Sequence, residues 1–299
     1  MTTTGANVTT PPWTTRRLLA WMTERFTTQS LSAPRVVSEL LLAHVLECER
    51  MRLYMEVDRE ATAEELARLR DLVRRAAAHE PVQYLVGRAA FFGFELEVDA
   101  SSLIPQPATE DLVSAVLAWA RACPTTPTRI ADLGTGSGAV AIAIARDLPE
   151  ATVLATDVVP AALELAARNA TRLGVADRIE FRVGALLEPL DADPRPWDVI
   201  AGNLPYISDT EWDDGSVERC VREHVPASAT RGGTDGLDFI RPVMQHAATH
   251  LRPGGLLALE IGHAQRDAVL ALARDTRWTD ARVERDAENF WRVLLAHRG

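Results

Sequence analysis

The chain of 299 residues contains no lysine, so arginine supplies all 32 of its basic side chains. Against them stand 42 acidic residues, which gives a net charge of -10 at pH 7. Residues 1–80 contain 11 arginines and 11 acidic residues and have no net charge. Residues 81–299 contain 21 arginines and 31 acidic residues and therefore carry the whole net charge of -10. Since nucleic-acid-binding proteins normally present an excess of positive charge, we expect no direct binding of nucleic acid.

Cysteine and long apolar runs are also scarce. The three cysteines, Cys48, Cys123 and Cys220, are few, odd in number and far apart, which excludes a disulfide framework and a Cys-x-x-Cys metal site. The longest apolar runs, such as residues 139–145, are too short to span a bilayer, and the N-terminus lacks the apolar core of a signal peptide. We therefore expect a cytoplasmic protein that does not bind membranes, with a disordered tail over residues 1–14.

Residues 15–80 have apolar side chains at helical spacing and predict a small helical bundle. Pro34 after Ser32-Ala33 is typical of a first helical turn, and Thr62 with Glu65 forms the pattern of a capping box. Residues 81–105 predict a hairpin connector, because acidic and apolar residues alternate after Gly93.

From residue 106 to 299, apolar strands alternate with helices, which favours a parallel sheet covered by helices on both faces. The predicted strands are 129–133, 152–156, 179–183, 197–201 and 256–260. The predicted helices are 110–122, 140–147 and 161–173, and a Pro/Thr linker is predicted at 124–128.

A glycine loop follows the first of these strands and opens an apolar helix. It runs Asp132-Leu133-Gly134-Thr135-Gly136-Ser137-Gly138. Glycines at every second position allow the backbone to approach a ligand closely. Their spacing differs from the Gly-x-Gly-x-x-Gly pattern of dinucleotide-binding folds, so the loop is less suited to a nicotinamide cofactor.

Asp157 follows the next strand, where a carboxylate can accept hydrogen bonds from the two hydroxyls of a ribose. A glycine loop without lysine, followed by this acid, suits S-adenosylmethionine, which has a ribose but no pyrophosphate. The alternative is a tight structural turn with an acidic strand cap.

A second motif, Asn203-Leu204-Pro205-Tyr206, follows the predicted strand 197–201. Pro205 biases Leu204 away from helical geometry, so the Leu204 carbonyl can lie beside the Asn203 side-chain oxygen. Two acceptors side by side suit a planar NH2 group, on which Tyr206 can pack. Such a site methylates a weakly nucleophilic nitrogen mainly by positioning it. The alternative is an Asn-capped turn with a buried tyrosine.

With these motifs in place, the chain resembles the class I methyltransferases that modify a glutamine N5 atom in peptide chain release factors. The resemblance covers nearly everything from Thr15 onward and includes residues 40–46, 81–87, 104–105, 235–238 and 259–262 besides the two loops. It implies a seven-stranded Rossmann-like sheet and a glutamine from a Gly-Gly-Gln loop as substrate. The cofactor, converted to S-adenosylhomocysteine, would be held by Asp132, Gly134, Thr135, Gly136, Ser137, Gly138, Asp157, Leu186 and Asn203. The helical bundle would help to hold the release factor, and the enzyme would act as a monomer.

The chain departs from the family pattern at four positions in or near the predicted site, and residues 289–293 are more aromatic than is usual in the family. Gln106 and Ala108 stand where charged residues are usual, Leu204 replaces a proline, and Ala185 can occupy the place of an aspartate that binds adenine. These departures leave a second hypothesis open, a diverged paralogue that methylates another protein, peptide or metabolite.

Two further alternatives follow from the residues. The Asn203 loop is also similar to that of ribosomal RNA adenine dimethyltransferases, although the acidic charge opposes adenine N6-methylation. A binding protein could keep the cofactor fold without turnover. His246 and His250 have metal-ligand spacing but no third ligand, so we expect no metal site. Glu260, at the end of a predicted strand, could orient a ligand or have only a structural role.

Overall fold

The structure, a computed structural model, describes residues 12–123, 128–276 and 278–299. The predicted tail lies outside these residues over positions 1–11, and the predicted linker does so over 124–127. The chain divides into two compact units, one ending at Val86 and one beginning at Gly87.

The first unit is helical. Its helices are α1 Thr15–Thr28, α2 Pro34–Val45, α3 Arg50–Met55, α4 Ala63–Ala77 and α5 Val82–Val86. Helix α2 begins at Pro34, as predicted, and the capping box of Thr62 and Glu65 is present at the start of α4. Met22, Phe26, Leu41 and Leu42 are fully buried at the centre of this unit, which confirms the helical bundle that the apolar spacing predicts.

The second unit combines a small hairpin with a large sheet and its helices. The strands are β1 Arg88–Phe91, β2 Phe94–Glu97, β3 Arg129–Leu133, β4 Thr152–Asp157, β5 Ile179–Val183, β6 Trp197–Gly202, β7 Leu251–Glu260, β8 Trp278–Arg285 and β9 Trp291–Arg298. The helices are α6 Pro107–Ala122, α7 Ala139–Asp147, α8 Pro160–Arg172, α9 Asp209–Asp213, α10 Arg219–His224, α11 Ile240–His246 and α12 Arg266–Asp275. The hairpin β1–β2 turns at Phe92-Gly93, within the predicted connector.

The large sheet has the strand order β5-β4-β3-β6-β7-β9-β8. Strands β3 to β7 are parallel, whereas β9 and β8 pair antiparallel at one side. The five parallel strands are those that the alternation of apolar and helical segments predicts, with β7 starting earlier, at Leu251. Strands β8 and β9 are absent from the strands predicted from the residues, and their antiparallel pairing makes the sheet mixed. The seven strands that the resemblance implies are confirmed.

The strand order reverses beside β3. The chain proceeds from β3 outward to β4 and β5, and then returns to place β6 on the other side of β3. Leu133 at the end of β3 pairs with Gly202 at the end of β6. The two loops that the sequence singled out therefore leave the same edge of the sheet side by side, which is where ligands bind in open parallel sheets.

No helix within the described ranges combines the length and the apolar character needed to cross a membrane.

Candidate active site

The glycine loop leaves β3 with a backbone that favours glycine. Gly134, Gly136 and Gly138 all have positive φ, at 68°, 53° and 85°. A Cβ on Gly138 would lie 3.0 Å from Ile142 Cδ1 and 3.1 Å from Ala166 Cβ, and one on Gly134 would lie 3.3 Å from Leu204 Cδ2. The loop therefore uses glycine both for its turn and for close packing against its neighbours.

Asp157, at the end of β4, ties this loop to the sheet. Its Oδ2 accepts a hydrogen bond from the Gly136 N–H at 2.9 Å, and its Oδ1 accepts one from the Val159 N–H at 2.9 Å. A carboxylate has about four acceptor positions, so two remain after these bonds are made. The tie to Gly136 is a second role that the sequence did not predict.

Asp132 lies beneath the same loop, only 1% exposed. Its Oδ2 accepts hydrogen bonds from Thr135 Oγ1 at 2.6 Å and from the Ala141 N–H at 3.2 Å. Burial raises the pKa of Asp132 to about 7, against the opposing effect of these two donors. Thr135 and Ser137 are also buried, at 6% and 2% exposed.

A cavity of about 760 Å³, including its open mouth, lies between the loops. Its walls are formed by Ser101, Ser102, Leu103, Gly134, Gly136, Asp157, Val158, Val159, Gly184, Ala185, Leu186, Asn203, Leu204, Pro205, Ser228, Ala229 and Phe239. Asp157 is the one ionisable side chain among these described wall residues. Leu186 has a positive φ of 49°, a strained conformation of the kind found at ligand sites.

Asn203 belongs to a chain of hydrogen bonds that leads away from the cavity. Its Nδ2 donates to Thr109 Oγ1 at 3.0 Å, and Thr109 Oγ1 donates to Glu260 Oε2 at 2.7 Å. The Tyr206 hydroxyl donates to the other oxygen of that carboxylate, Oε1, at 3.0 Å. The carboxyl of Glu260 thus links the first and last residues of the Asn203–Tyr206 loop.

The backbone of this loop is held from the other side by Gly236 and Gln265. Gln265 Nε2 donates to the Tyr206 carbonyl at 2.9 Å and to the Gly236 carbonyl at 3.1 Å. Gly236 has a φ of 74°, and a Cβ there would overlap the Tyr206 carbonyl oxygen. Only glycine therefore fits at this position of the 235–238 segment.

Electrostatic effects keep the phenol of Tyr206 neutral. Burial, followed by the nearby Glu260 carboxyl, raises the pKa of Tyr206 far above its ordinary value. Burial also raises the pKa of Glu260, while hydrogen bonds from Thr109 and Tyr206 and the charge of Arg292 lower it. Arg292 in turn forms an ion pair with Asp286 at 3.0 Å.

The structure brings together most of the residues that the sequence predicted for a site. Gly134, Gly136, Asp157, Leu186, Asn203, Leu204 and Pro205 line the cavity, together with Ala185. Asp132, Thr135, Ser137 and Gly138 are buried behind the loop surface, and Tyr206 packs against the core beside Glu260. Contact of any of these residues with a ligand stays a prediction.

Thr109 is the member of this arrangement that the sequence did not identify. It lies in the first turn of α6, in the segment where Gln106 and Ala108 depart from the family pattern. Gln106 Nε2 donates to the Ile104 carbonyl at 2.8 Å. A threonine in a helix gives no local signal of such a role, since its partners are 94 and 151 residues away in the sequence.

Comparison with known proteins gives matches over both units. Residues 17–87 match the model of the PrmC N-terminal domain, and residues 130–223 match that of a methyltransferase domain. The chain is 37% identical to a release factor glutamine methyltransferase of Koribacter versatilis, covering 89% of this chain and 92% of that one. It is 41% identical to the release factor glutamine methyltransferase of Xylella fastidiosa, covering 93% and 96%.

A solved structure shows the same fold at low sequence identity. A methyltransferase from Pyrococcus furiosus aligns with a TM-score of 0.50 at 19% identity, covering 80% of this chain and all of that one. The fold is thus the Rossmann-like fold of class I methyltransferases.

Proposed function

This chain belongs to the family of release factor glutamine methyltransferases, and we propose that it transfers a methyl group from S-adenosylmethionine to the side-chain amide nitrogen of a glutamine in a peptide chain release factor. The observation that carries the proposal is the position of Asn203. Its side chain lines the same cavity as the glycine loop and Asp157, so a bound amide and a bound cofactor would meet there.

The cavity fits S-adenosylmethionine better than a nucleotide with a pyrophosphate. The single ionisable side chain described in its wall is an acid, Asp157, which would repel phosphate but can accept hydrogen bonds from ribose hydroxyls. Leu103, Val158 and Leu186 offer apolar surface for a neutral adenine.

The bound cofactor supplies an electrophilic methyl group on a sulfonium. The chain's own residues hold the acceptor. Asn203 Oδ1 and the Leu204 carbonyl each accept one N–H of the glutamine amide, and Tyr206 packs on the amide plane. Because the amide nitrogen is a weak nucleophile, the rate then depends on how firmly these groups are aimed.

We further propose that the helical unit contributes to binding the release factor. The support is its match to the PrmC N-terminal domain over residues 17–87. A substrate of the translation machinery also favours a cytoplasmic site of action. The sequence departures at Gln106, Ala108 and Ala185 lie outside the Asn203 loop. The departure at Leu204 lies within the loop, where the residue would contribute its backbone carbonyl, a group that leucine and proline share.

Mass spectrometry of release factors from the same organism tests the proposal. Incubation with the protein and S-adenosylmethionine should add one methyl group, mapped to the glutamine of the Gly-Gly-Gln loop. A release factor with that glutamine replaced by alanine should gain nothing, and an Asn203→Ala enzyme should transfer far more slowly even at a saturating concentration of S-adenosylmethionine. Cofactor binding without any gain on release factors would contradict the proposed substrate and favour a diverged paralogue.

A further inference from the structure

The carboxyl of Glu260 sits at the end of β7 and is fully buried. Each of its oxygens receives one hydrogen bond, from Thr109 at 2.7 Å and from Tyr206 at 3.0 Å. Glu260 and its two partners come from different elements, β7, α6 and the loop after β6. A buried carboxyl in such a position is either a structural tie or part of the machinery that orients the loop.

The direction of the hydrogen bonds favours the second role. Both carboxyl oxygens accept, Oε2 from the Thr109 hydroxyl and Oε1 from the Tyr206 hydroxyl. The Thr109 hydroxyl has a single proton. Because this proton takes part in the hydrogen bond to Glu260, the Thr109 oxygen can only accept any further hydrogen bond. It accepts from Asn203 at 3.0 Å, and an NH2 group is the only part of the Asn203 amide that can donate. The Asn203 oxygen is then turned away from Thr109.

We infer that Glu260 and Thr109 are positioning residues, which fix the Asn203 amide so that its oxygen accepts from the glutamine substrate while Glu260 anchors the Tyr206 ring. The inference rests on the proposed function. If the Asn203 amide were free to rotate by half a turn, its NH2 group would face the NH2 group of the substrate, and two donors would oppose each other. The hydrogen-bond relay from Asn203 through Thr109 to Glu260 excludes that orientation. Because Tyr206 bonds to the same carboxyl, the positions of Asn203 and Tyr206 are fixed relative to each other.

A matched pair of variants at Thr109 tests the relay. Thr109→Val keeps the shape of the side chain and removes the hydroxyl, whereas Thr109→Ser keeps the hydroxyl and removes a methyl group. We expect Thr109→Val to lower kcat/KM for the release factor about 10- to 100-fold, as expected when an orienting hydrogen bond is lost, with the dissociation constant of S-adenosylmethionine changed by less than about twofold. Thr109→Ser should recover most of the lost activity. Ser114→Ala, which removes an exposed hydroxyl from the same helix, serves as the control.

Glu260→Gln provides a second test with almost unchanged shape. The new NH2 group can donate to Thr109, which frees the Thr109 proton for the Asn203 oxygen and reverses the relay. We expect a loss of kcat/KM similar to that of Thr109→Val, again without weaker cofactor binding. Thermal unfolding and cofactor binding of each variant show whether it is folded.

The outcomes separate this inference from the function on which it depends. If the wild-type protein methylates no release factor, the proposed function is wrong and the inference falls with it. If the wild type is active and folded Thr109→Val and Glu260→Gln both match it, the inference alone is wrong. Equal losses in Thr109→Val and Thr109→Ser, or losses that follow weaker cofactor binding, would indicate a structural tie and also overturn it.

Discussion

Replacing Asp132 by asparagine should change how the stability of the protein depends on pH. The carboxyl is 1% exposed, and burial raises its pKa from 3.8 to about 7. The unfolded chain releases this proton near the ordinary value. Between these two pKa values the folded state therefore binds more protons than the unfolded state, and the free energy of unfolding must fall as pH rises. An asparagine side chain has no proton to release, so this loss disappears in the variant.

The size of the effect follows from the two pKa values. A shift of the Asp132 pKa from 3.8 to about 7 lowers the free energy of unfolding by at most about 4 kcal/mol, and this maximum is reached above pH 7. Between pH 5 and pH 8 the contribution of Asp132 should change by about 2–3 kcal/mol. Over this interval the free energy of unfolding of Asp132→Asn should rise by that amount relative to the wild type. The asparagine oxygen can still accept from Thr135 and Ala141, so the loop keeps its support.

Urea unfolding at constant ionic strength, followed by tryptophan fluorescence at a series of pH values, measures this difference. Asp177→Asn, at a side chain that is 79% exposed, is the control for loss of a carboxylate at the surface. The plot of its free energy of unfolding against pH should run parallel to that of the wild type. A difference between the wild type and Asp132→Asn that stays constant from pH 5 to pH 8, or that grows in favour of the wild type, would refute the reasoning.

Two further predictions concern Gly236, which packs against the Asn203–Tyr206 loop, and Glu39 in the helical unit. Gly236→Ala should lower methyl transfer at least about tenfold and destabilise the protein, because its Cβ would overlap the Tyr206 carbonyl oxygen. Gly215→Ala is the control, since Gly215 also has a positive φ, of 86°, but no atom lies within 4 Å of its Cβ. It should keep methyl transfer intact in the same assay. Glu39→Gln should lower the free energy of unfolding of the helical unit by about 2–3 kcal/mol at pH 7, because Glu39 is 2% exposed and accepts from Arg35, Arg50 and Tyr54.

The pH dependence of the Glu39→Gln effect has a defined sign. Burial acts to raise the pKa of Glu39, but the hydrogen bonds from Arg50, Tyr54 and Arg35 together outweigh it and lower the pKa to about 2. The stabilisation is therefore fully present above pH 4.5 and is lost as pH falls toward 2, so the wild type and Glu39→Gln should converge in acid. Circular dichroism during thermal unfolding measures this, with Glu56→Gln at the exposed pair with Arg52 as the control. A variant as stable as the wild type at pH 7 would argue against this explanation.

Local patterns in the sequence predicted the elements whose signals are contained in a few neighbouring residues. The five parallel strands are apolar runs bounded by turns, and their ends carry the two loops that form the cavity. Glycines at alternate positions, or a proline after Asn203-Leu204, restrict the backbone at the place where they occur. Parallel strands present their carboxyl ends at one edge of the sheet, so the two loops, each of which follows a predicted strand, lie together.

The antiparallel strands β8 and β9 were missed because their residues alternate less clearly and depend on pairing with each other and with β7. The relay from Asn203 through Thr109 to Glu260 and the tie from Asp157 to Gly136 were decided only by the tertiary structure. Each joins residues on separate elements, up to 151 positions apart. A hydrogen bond to a side chain depends on positions to within a fraction of an ångström. The packing of α6, β6 and β7 determines those positions for the first of these contacts, and the pairing of β3 with β4 does so for the second.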